Sequence, residues 1–269
     1  MSANRVVPLD VTRHLDVIRH PGRFHLDSRE VCLWTVRLDA SPDNFERCLS
    51  WLSPDETARA ERFHFPQHRR AFVLGRAALR ALLGGYLGIG ATEIQFVYGP
   101  QGKPALAPGL ENQACPLGFN AANSGDLAAY AFTIGCQIGV DIERHRELPD
   151  LENIAHRFFA PEEATELLEL PAAEKTSAFF HCWSRKEAYI KAMGGGLSIP
   201  LDSFRVTLRP SVPARFVSLG GSEEAARAWT LESFDPEPGY TSAVAYPDRA
   251  RSIKAGSIIS VDDLLGGCS

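Results

Sequence analysis

Hydrophobic and polar residues alternate in several short runs of the chain. The apolar residues Cys32, Trp34, Val36 and Leu38 alternate with polar ones from Thr35 onwards, which is the pattern of a strand with one buried face. Similar alternation, or an apolar run bounded by turn signals, recurs in short segments further along the chain. We predict strands over 32–38, 94–98, 119–124, 127–134, 138–143, 229–234 and 240–246.

A helical period replaces the alternation in two longer stretches. Residues 67–87 place their large apolar side chains on one stripe, as an amphipathic helix does. Residues 180–191 contain neither Pro nor Gly and are followed by three glycines at 194–196, which is typical of a helix that ends at a glycine. Residues 53–56 read Ser-Pro-Asp-Glu, the signature of an N-terminal capping box. We predict a long helix over each of the two stretches.

The second half of the chain repeats motifs of the first. A Pro-acid-acid segment at 54–57 recurs at 161–164, which is an offset of 107 residues. At this offset Arg80 corresponds to Glu187. Repetition of this kind indicates a duplicated fold. We predict an α+β fold that is a pseudo-twofold duplication of two similar halves, each a small antiparallel sheet packed with a long helix.

The repeat also suggests where the halves begin and end. Residues 1–30 mix charge, Pro and Gly with little periodicity, which indicates an irregular N-terminal arm. We expect an N-terminal half over 31–136 and a C-terminal half over 137–247. Residues 248–269 come after the last predicted strand, and we interpret them as a C-terminal tail. A duplicated fold would place its cleft between the halves of one chain, so we expect a monomer.

Composition and charge narrow the class of protein. The chain has 269 residues, of which 45% are hydrophobic and 23% charged, as in globular proteins. Its net charge of -5 argues against general nucleic-acid binding. The six cysteines form no CxxC pair, which favours reduced thiols in the cytoplasm. We also find no signal peptide and no apolar run long enough to span a membrane.

Carboxylates and a lysine gather on the predicted strand 138–143 and the predicted helix 180–191. In the strand, Asp141 and Glu143 share one face. In the helix, Glu187 and Lys191 lie one turn apart. Carboxylate oxygens suit Mg²⁺ together with substrate phosphates, and a nearby lysine would stabilise charge on a leaving phosphate. The ordinary interpretation stays open, namely a solvated strand face and an exposed helical ion pair.

Basic residues supply a second candidate feature. Arg69, Arg76 and Arg80 line up beside the apolar stripe of the helix 67–87. Their alignment favours an anion, although a solvated flank would have the same pattern. The loop 99–104 contains Gly, Pro and Lys103, so it is either a ligand-contacting loop or an ordinary turn.

The paired motifs resemble those of the Sfp-type 4'-phosphopantetheinyl transferases. Residues 138–143 read Ile-Gly-Val-Asp-Ile-Glu and are similar to the first signature of that family. Residues 183–191 read Trp-Ser-Arg-Lys-Glu-Ala-Tyr-Ile-Lys and are similar to the second. The spacing between them and the segment 196–204 also match, and paired motifs of this kind are highly specific. The resemblance covers 34–246 and implies the duplicated fold of that family, with the metal site in the C-terminal half.

The resemblance implies an enzyme that transfers the phosphopantetheine arm of coenzyme A to a serine of an apo acyl carrier or peptidyl carrier protein, with release of adenosine 3',5'-bisphosphate. Asp141, Glu143 and Glu187 would then hold Mg²⁺ on the pyrophosphate of the coenzyme. Glu187 would also act as the base for the serine, and Lys191 would stabilise the breaking pyrophosphate. The residues implied to contact the coenzyme are Arg69, Arg76, Lys103, Asn123, Ser124, Asp141 and Lys191.

One position departs from the family pattern. Where the family usually has Ser-His-Ser before a glycine, residues 122–124 read Ala-Asn-Ser. The family histidine contacts the 3'-phosphate of the coenzyme. Asn123 can donate a neutral hydrogen bond there but carries no positive charge, and charge-assisted bonds are about twice as strong. We expect either a weaker dependence on the 3'-phosphate or compensation by an arginine.

Two other functions stay open at this point. The chain could be a non-catalytic homologue that binds coenzyme A or a carrier protein, although it has all three acids and Lys191. It could also be a Mg²⁺-dependent phosphohydrolase that uses the same acids on another substrate. Consumption of the coenzyme only when an apo carrier is present would distinguish transfer from hydrolysis.

Overall fold

The computed structural model describes residues 7–8, 24–99, 101–110 and 116–266. Most of the predicted arm over 1–30, the end of the predicted tail, Cys115 and Cys268 therefore lie outside the described residues. Within them, the cysteines at 32, 48, 136 and 182 are free thiols. Of the helices in this part of the chain, none combines the length and the apolar character that crossing a lipid bilayer requires.

The strands coincide closely with the alternating segments. The segment 94–98 is shorter as a strand than predicted, because residues 91–93 form a 3-10 turn before it. The strands are β1 (Val7–Pro8), β2 (Glu30–Arg37), β3 (Phe96–Tyr98), β4 (Pro104–Leu106), β5 (Leu117–Ser124), β6 (Leu127–Ile134), β7 (Gly139–Arg144), β8 (Phe204–Val206), β9 (Phe216–Leu219), β10 (Trp229–Phe234), β11 (Tyr240–Pro247), β12 (Ser252–Ala255) and β13 (Ile259–Ser260).

The two predicted long helices are present, and each ends at a glycine in the left-handed region. The helices are α1 (Pro42–Trp51), α2 (Pro54–Glu61), α3 (Pro66–Leu87), α4 (Leu151–Phe158), α5 (Pro161–Leu168), α6 (Ala172–Met193), α7 (Glu223–Arg227) and α8 (Val261–Leu264). Gly88 ends α3 with φ 73° and Gly194 ends α6 with φ 70°, a conformation that costs glycine little. The capping box of α2 is confirmed, because Ser53 N–H donates to Glu56 at 3.0 Å.

Two main sheets organise the strands. In the first, β5 and β6 form a hairpin, β6 pairs antiparallel with β2, and β12 joins β2 in parallel. In the second, β11 lies between β10 and β7, and both pairings are antiparallel. Two small hairpins, β3–β4 and β8–β9, complete the pairing. Strands β12 and β13 of the predicted tail thus belong to the first sheet.

The sheets and long helices stack in the order helix, sheet, sheet, helix. One core lies between α3 and the first sheet and includes Leu74, Trp34 and Phe132. A second core lies between α6 and the second sheet and includes Phe179 and Ala243. Between the two sheets, a third core is built from the opposite faces of β2, β6, β7 and β11. Because each strand has one face towards its helix and one towards the other sheet, both faces are apolar over most of its length.

The order of elements repeats, as the α+β duplication predicts. Strand β2 is followed by α1, α2, α3 and two hairpins, and β7 by α4, α5, α6 and two hairpins. The offset of 107 is wrong for the long helices, however. The connection from α5 to α6 is one residue shorter than that from α2 to α3, so Arg80 corresponds to Lys186 rather than to Glu187. The boundaries of the halves at 136 and 247 stay a prediction.

Candidate active site

Strand β7 and helix α6 touch at backbone distance. A β-carbon built on Gly139 would lie 2.1 Å from the carbonyl oxygen of Ala188 and 2.2 Å from the amide nitrogen of Ala192. Only a residue without a side chain permits this approach. Because side chains alternate along a strand, Asp141 and Glu143 share the face of β7 that packs on α6. The contact therefore sets these acids against the helix that carries Glu187 and Lys191.

Asp141 and Lys191 form an ion pair at this contact. The Nζ atom of Lys191 donates to Oδ1 of Asp141 at 2.6 Å. Burial raises the pKa of the Asp141 carboxyl, although Lys191 acts in the opposite direction. Burial acts to lower the pKa of Lys191, but the charge of Asp141, with those of Glu187 and Glu143, raises it above its ordinary value. The lysine thus stays charged among the three acids.

The second carboxylate oxygen of Asp141 does not take part in the bond to Lys191. Oδ2 is buried and makes no hydrogen bond of regular geometry to the described residues, while the nearby hydroxyl of Ser184 acts to lower the pKa of the carboxyl. A buried carboxylate oxygen without a regular hydrogen bond is costly. An oxygen of this kind is suited to a metal ion or a ligand atom that completes its coordination.

Glu143 lies next to Asp141 on the same face of β7. Its Oε2 atom accepts a hydrogen bond from the hydroxyl of Ser124 at 2.9 Å, and that hydroxyl accepts from the backbone N–H of Arg144 at 3.1 Å. Burial, and then the charge of Asp141, raises the pKa of Glu143. Ser124, predicted to contact the coenzyme, therefore binds Glu143, which is a predicted metal ligand.

Glu187 is half-buried on α6. Burial raises the pKa of its carboxyl, Lys191 lowers it, and the charge of Asp141 raises it further. The three acids and Lys191 therefore act on one another electrostatically, although they come from two elements. Trp183, one turn before Glu187, stacks on Phe179 with ring centroids 5.9 Å apart and belongs to the core.

The three acids are of the chemical type that binds Mg²⁺, but their side chains are not arranged as a complete coordination site. Within the described residues, no three His, Cys, Asp or Glu side chains are arranged closely enough to hold a metal ion. Asp141 instead binds Lys191 with one oxygen, and its other oxygen makes no hydrogen bond of regular geometry to these residues. Hard carboxylate oxygens are the donors that Mg²⁺ prefers, and it commonly takes one or two of them together with phosphates and water. The donor set and the unpaired oxygen are therefore compatible with this ion.

A cavity of about 290 Å³ opens beside these groups. Glu187 and Lys191 line it from α6, and Lys103 lines it from the loop after β3. The Nζ atom of Lys103 donates to the carbonyl oxygen of Lys191 at 2.5 Å, and burial lowers the pKa of this lysine. Lys103, predicted to lie in a loop that contacts a ligand, therefore contacts the C-terminal end of α6. Asn120, from β5, lines the same cavity and accepts the N–H of Val140 at 2.8 Å.

A second cleft, of about 840 Å³, contains Asn123 and Ser124. Sequence reasoning missed most of its basic lining. The basic residues are Arg37, Arg59, His68, Arg70 and Arg144, against the acids Asp39 and Asp126. Nothing in the local sequence distinguishes these arginines from surface arginines, because they come from β2, α2, α3 and β7. Arg37 pairs with Glu237 and Arg144 with Asp126, so the positive charge that Asn123 itself lacks comes mainly from Arg59 and Arg70.

Two of the three arginines predicted to line up on α3 bind a carboxylate of the protein itself. Arg80 is buried and pairs with Glu56 at 2.7 Å, and Nε of Arg76 lies 3.4 Å from the other oxygen of Glu56. Arg76 also stacks over Phe96, with its guanidinium carbon 5.1 Å from the ring centroid. Among the described residues that line the second cleft, the arginine of α3 is Arg70, not Arg69. Contacts from Arg69 and Arg76 to a coenzyme stay predictions.

Comparisons with known proteins agree over both halves of the chain. A family model described as "4'-phosphopantetheinyl transferase superfamily" matches residues 137–245, and one described as "4'-phosphopantetheinyl transferase, N-terminal" matches residues 37–134. The first contains the strand of Asp141 and the helix of Glu187. The second contains Lys103 and most of the basic cleft.

Two curated bacterial relatives match over nearly their whole length. The chain is 40% identical over 225 residues to 4'-phosphopantetheinyl transferase HetI of Nostoc sp., which is 84% of this chain and 91% of that protein. It is 33% identical over 227 residues to 4'-phosphopantetheinyl transferase Sfp of Bacillus subtilis, covering 84% and 95%. It is also 27% identical to the human L-aminoadipate-semialdehyde dehydrogenase-phosphopantetheinyl transferase, covering 74% and 69%.

Proposed function

The chain belongs to the Sfp-type 4'-phosphopantetheinyl transferases, and we propose that it transfers the phosphopantetheine arm of coenzyme A to a serine of an apo acyl carrier or peptidyl carrier protein. The observation that carries the proposal is the group of three acids that act on Lys191, in which one buried oxygen of Asp141 makes no hydrogen bond of regular geometry to the part of the chain that the structure describes. Carboxylate oxygens are the donors that a divalent cation takes together with the phosphates that accompany it.

Asp141, Glu143 and Glu187 would hold Mg²⁺ in this site. When bound, the ion supplies positive charge to the pyrophosphate of the coenzyme. In the free protein Asp141 repels both Glu143 and Glu187, since it raises the pKa of each. Their arrangement therefore costs stability without a ligand and favours occupation by a cation.

Lys191 would stabilise the leaving group. Its ammonium is held by Asp141 at 2.6 Å and is kept charged by the three acids. When the bond between the two phosphates breaks, negative charge grows on the departing adenosine 3',5'-bisphosphate. A positioned cation stabilises that charge more than it stabilises the bound coenzyme, and this difference accelerates the step.

Glu187 would accept the proton of the carrier serine. The serine oxygen bonds to the phosphorus that carries the pantetheine arm, its proton passes to Glu187, and the bond to the other phosphate breaks. In the metal-free protein burial raises the pKa of Glu187, and a carboxylate of higher pKa is a more effective base. Holding the ion and accepting the proton are compatible roles for one carboxylate.

The nucleotide end of the coenzyme would occupy the clefts beside the acids. Lys103, Asn123 and Ser124 line them, and Arg69 and Arg76 lie on the adjoining helix α3. Arginines of the second cleft add the positive charge that the departure at Asn123 removes. This supports compensation by arginine rather than loss of the contact to the 3'-phosphate.

We also propose that the protein acts as a cytoplasmic monomer. The cysteines of the described residues are free thiols, which fits a reducing compartment. Residues of both halves line the second cleft within a single chain, so no second copy is needed to build the site.

Mass spectrometry of several apo carrier proteins, incubated with the enzyme, coenzyme A and Mg²⁺, tests the proposal. We expect a mass gain equal to the phosphopantetheine arm on the carrier serine, and loss of that gain with EDTA. The Asp141→Asn variant is the matched control, and we expect its rate to fall at least about 100-fold.

Other outcomes would indicate the alternative functions. Loss of coenzyme A without any carrier present would indicate a phosphohydrolase. Binding of coenzyme or carrier without a mass gain on any of them would indicate a non-catalytic homologue. A full rate in the Asp141→Asn variant would contradict the assignment of the site.

A further inference from the structure

Each half of the fold contains a buried ion pair between its short and its long helix. In the N-terminal half, Glu56 near the start of α2 accepts from Nε of Arg80 at 2.8 Å and from the N–H of Ser53 at 3.0 Å. Nη1 of Arg80 donates to the carbonyl oxygen of Ile94 at 2.7 Å and to that of Ala91 at 3.1 Å. The pair ties α2, α3 and the segment after α3 together.

The C-terminal half has the same construction with a lysine. Oε2 of Glu163 accepts from Nζ of Lys186 at 2.7 Å and from the N–H of Ala160 at 2.9 Å. Nζ of Lys186 also donates to the carbonyl oxygens of Leu201 at 2.8 Å and Phe204 at 2.6 Å. All three donors of the ammonium group are thereby used, and the side chain is fully buried.

The two halves differ in the residues that come after the cation along the long helix. Glu187 comes directly after Lys186, and Lys191 lies one turn further. At the corresponding places after Arg80, α3 has Ala81 and a glycine at 85. The same ion pair therefore stands beside a chemical site in one half and beside apolar packing in the other.

We propose that Glu163 and Lys186 are positioning residues that fix the rotation of α6 about its axis, so that Glu187 and Lys191 face Asp141. Successive residues of a helix point about 100° apart. A helix held by Lys186 on its α5 side and by the Lys191–Asp141 bond on its β7 side cannot turn without breaking one of the two contacts.

The charges suggest a role beyond general stability. Replacing a buried ion pair by apolar groups of similar size is often neutral for stability, so the pair is not needed merely to fill the core. Its bonds are directional instead, since one oxygen of Glu163 binds the helix and the other accepts the N–H of Val206 at 2.7 Å. The pair thus connects α6 to α5 and to β8 at fixed angles.

The test uses the N-terminal pair as its internal control. The variant Lys186→Met with Glu163→Gln removes both charges of one pair, and Arg80→Met with Glu56→Gln removes both charges of the other. Arg76, whose Nε lies 3.4 Å from Glu56, then faces an amide that can still accept a hydrogen bond. Double variants are preferred because a single substitution leaves a buried charge without a partner and can unfold the protein. Thermal unfolding and circular dichroism select a temperature at which both variants and the wild type are folded.

Two readouts are then measured at that temperature. We expect kcat of the Lys186 double variant to fall about 10-fold to 100-fold, with KM for the carrier nearly unchanged, because small displacements of catalytic groups cost rate. We expect kcat of the Arg80 double variant at saturating coenzyme A to stay within about 3-fold. Hydrogen exchange measured by mass spectrometry should be faster for 184–193 only in the Lys186 double variant.

The results separate this inference, which rests on the proposed function, from that function itself. If the wild type transfers no phosphopantetheine, the function fails, while hydrogen exchange of 184–193 still decides whether the pair holds α6. A folded Lys186 double variant with unchanged exchange and an unchanged kcat would overturn the inference. Equal losses of kcat in both double variants would overturn it too, because the effect would then be general destabilisation.

Discussion

At the scale of single residues, the negative charge of Glu187 lowers the stability of the metal-free protein. Burial raises the pKa of Glu187, and the attraction of Lys191 does not offset this. A carboxyl with a higher pKa in the folded than in the unfolded chain binds its proton more tightly when folded. The contribution of Glu187 to stability therefore falls as the pH rises from the ordinary pKa through the raised one. At neutral pH the free protein bears the cost of keeping this charge.

Removing the charge of Glu187 should separate stability from activity. For Glu187→Gln we expect the Tm of the metal-free protein near neutral pH to rise by about 1–4 °C. The gain should disappear as the pH falls below 4.5, the ordinary pKa of a glutamate. Transfer should fall by about 100-fold or more, because the base is lost. Thermal unfolding across pH and carrier mass spectrometry measure the two effects.

The matched control for this prediction lies on the same helix. Glu174, in the first turn of α6, is exposed, so Glu174→Gln should leave the transfer rate nearly unchanged. A Glu187→Gln variant that is less stable than the wild type at every pH would contradict the electrostatic argument.

At the scale of elements, the approach of β7 to α6 depends on one missing side chain. Since a β-carbon on Gly139 would overlap the backbone of Ala188 and Ala192, Gly139→Ala must push the strand and helix apart. We expect a loss of about 2–3 kcal/mol in the free energy of unfolding. Transfer at a temperature where the variant is folded should fall more than about 10-fold, because Asp141 moves away from α6. Urea unfolding and carrier assays test this.

Gly75 provides the comparison, because it lies inside α3. A β-carbon there would be 3.7 Å from the hydroxyl oxygen of Tyr130, an ordinary contact. Gly75→Ala should raise the free energy of unfolding by about 0.5–1 kcal/mol, since alanine favours helix. If Gly139→Ala were tolerated as well as Gly75→Ala, the close contact of β7 with α6 would not control the site.

At the scale of the whole molecule, the two halves meet around the basic cleft. Arg37 of the first sheet pairs with Glu237, in the turn between β10 and β11, at 2.5 Å. The cleft beside this pair receives Arg59 and Arg70 from the N-terminal helices and Arg144 from β7. Its positive charge is therefore a property of the assembled fold, not of any single segment.

The cleft predicts how the enzyme distinguishes coenzyme A from its 3'-dephospho form. Because arginines supply the charge, we expect KM to be clearly lower for coenzyme A, and the difference to shrink as salt screens the arginines. Asn123→His should add little at pH 8, where a histidine of ordinary pKa is neutral, and should lower KM for coenzyme A at pH 6. Steady-state kinetics with both coenzymes at two pH values measure this.

Equal KM values for the two coenzymes in the wild type would mean that the arginines do not reach the 3'-phosphate. An Asn123→His variant whose ratio of KM values is unchanged at both pH values would remove the reason for assigning position 123 to that phosphate. Arg215, an exposed arginine outside the cleft, provides the control, since Arg215→Met should not alter the ratio.

Periodicity predicted most of the elements, because alternation and helical stripes record which face of a segment is buried. It did not predict α1 or α4, which are short, and it misaligned the long helices by one residue. An offset read from two capping segments carries no information about the length of the connection between helices. The pairing of β12 with β2 was also missed, since no local pattern specifies a partner from the other end of the chain.

The chemistry of the site divides in the same way. The sequence by itself determined which acids and which lysine stand on one face of a strand and one turn of a helix, because these relations are local and set by backbone geometry. Only the tertiary structure decided that Lys191 binds Asp141. It also decided that Glu56 pairs with Arg80 and lies close to Arg76, so these two arginines of α3 bind a carboxylate of the protein itself. The cleft that Arg37, Arg70 and Arg144 share is likewise a result of the tertiary structure. Such partners are chosen by packing between distant segments, and burial then fixes their charges.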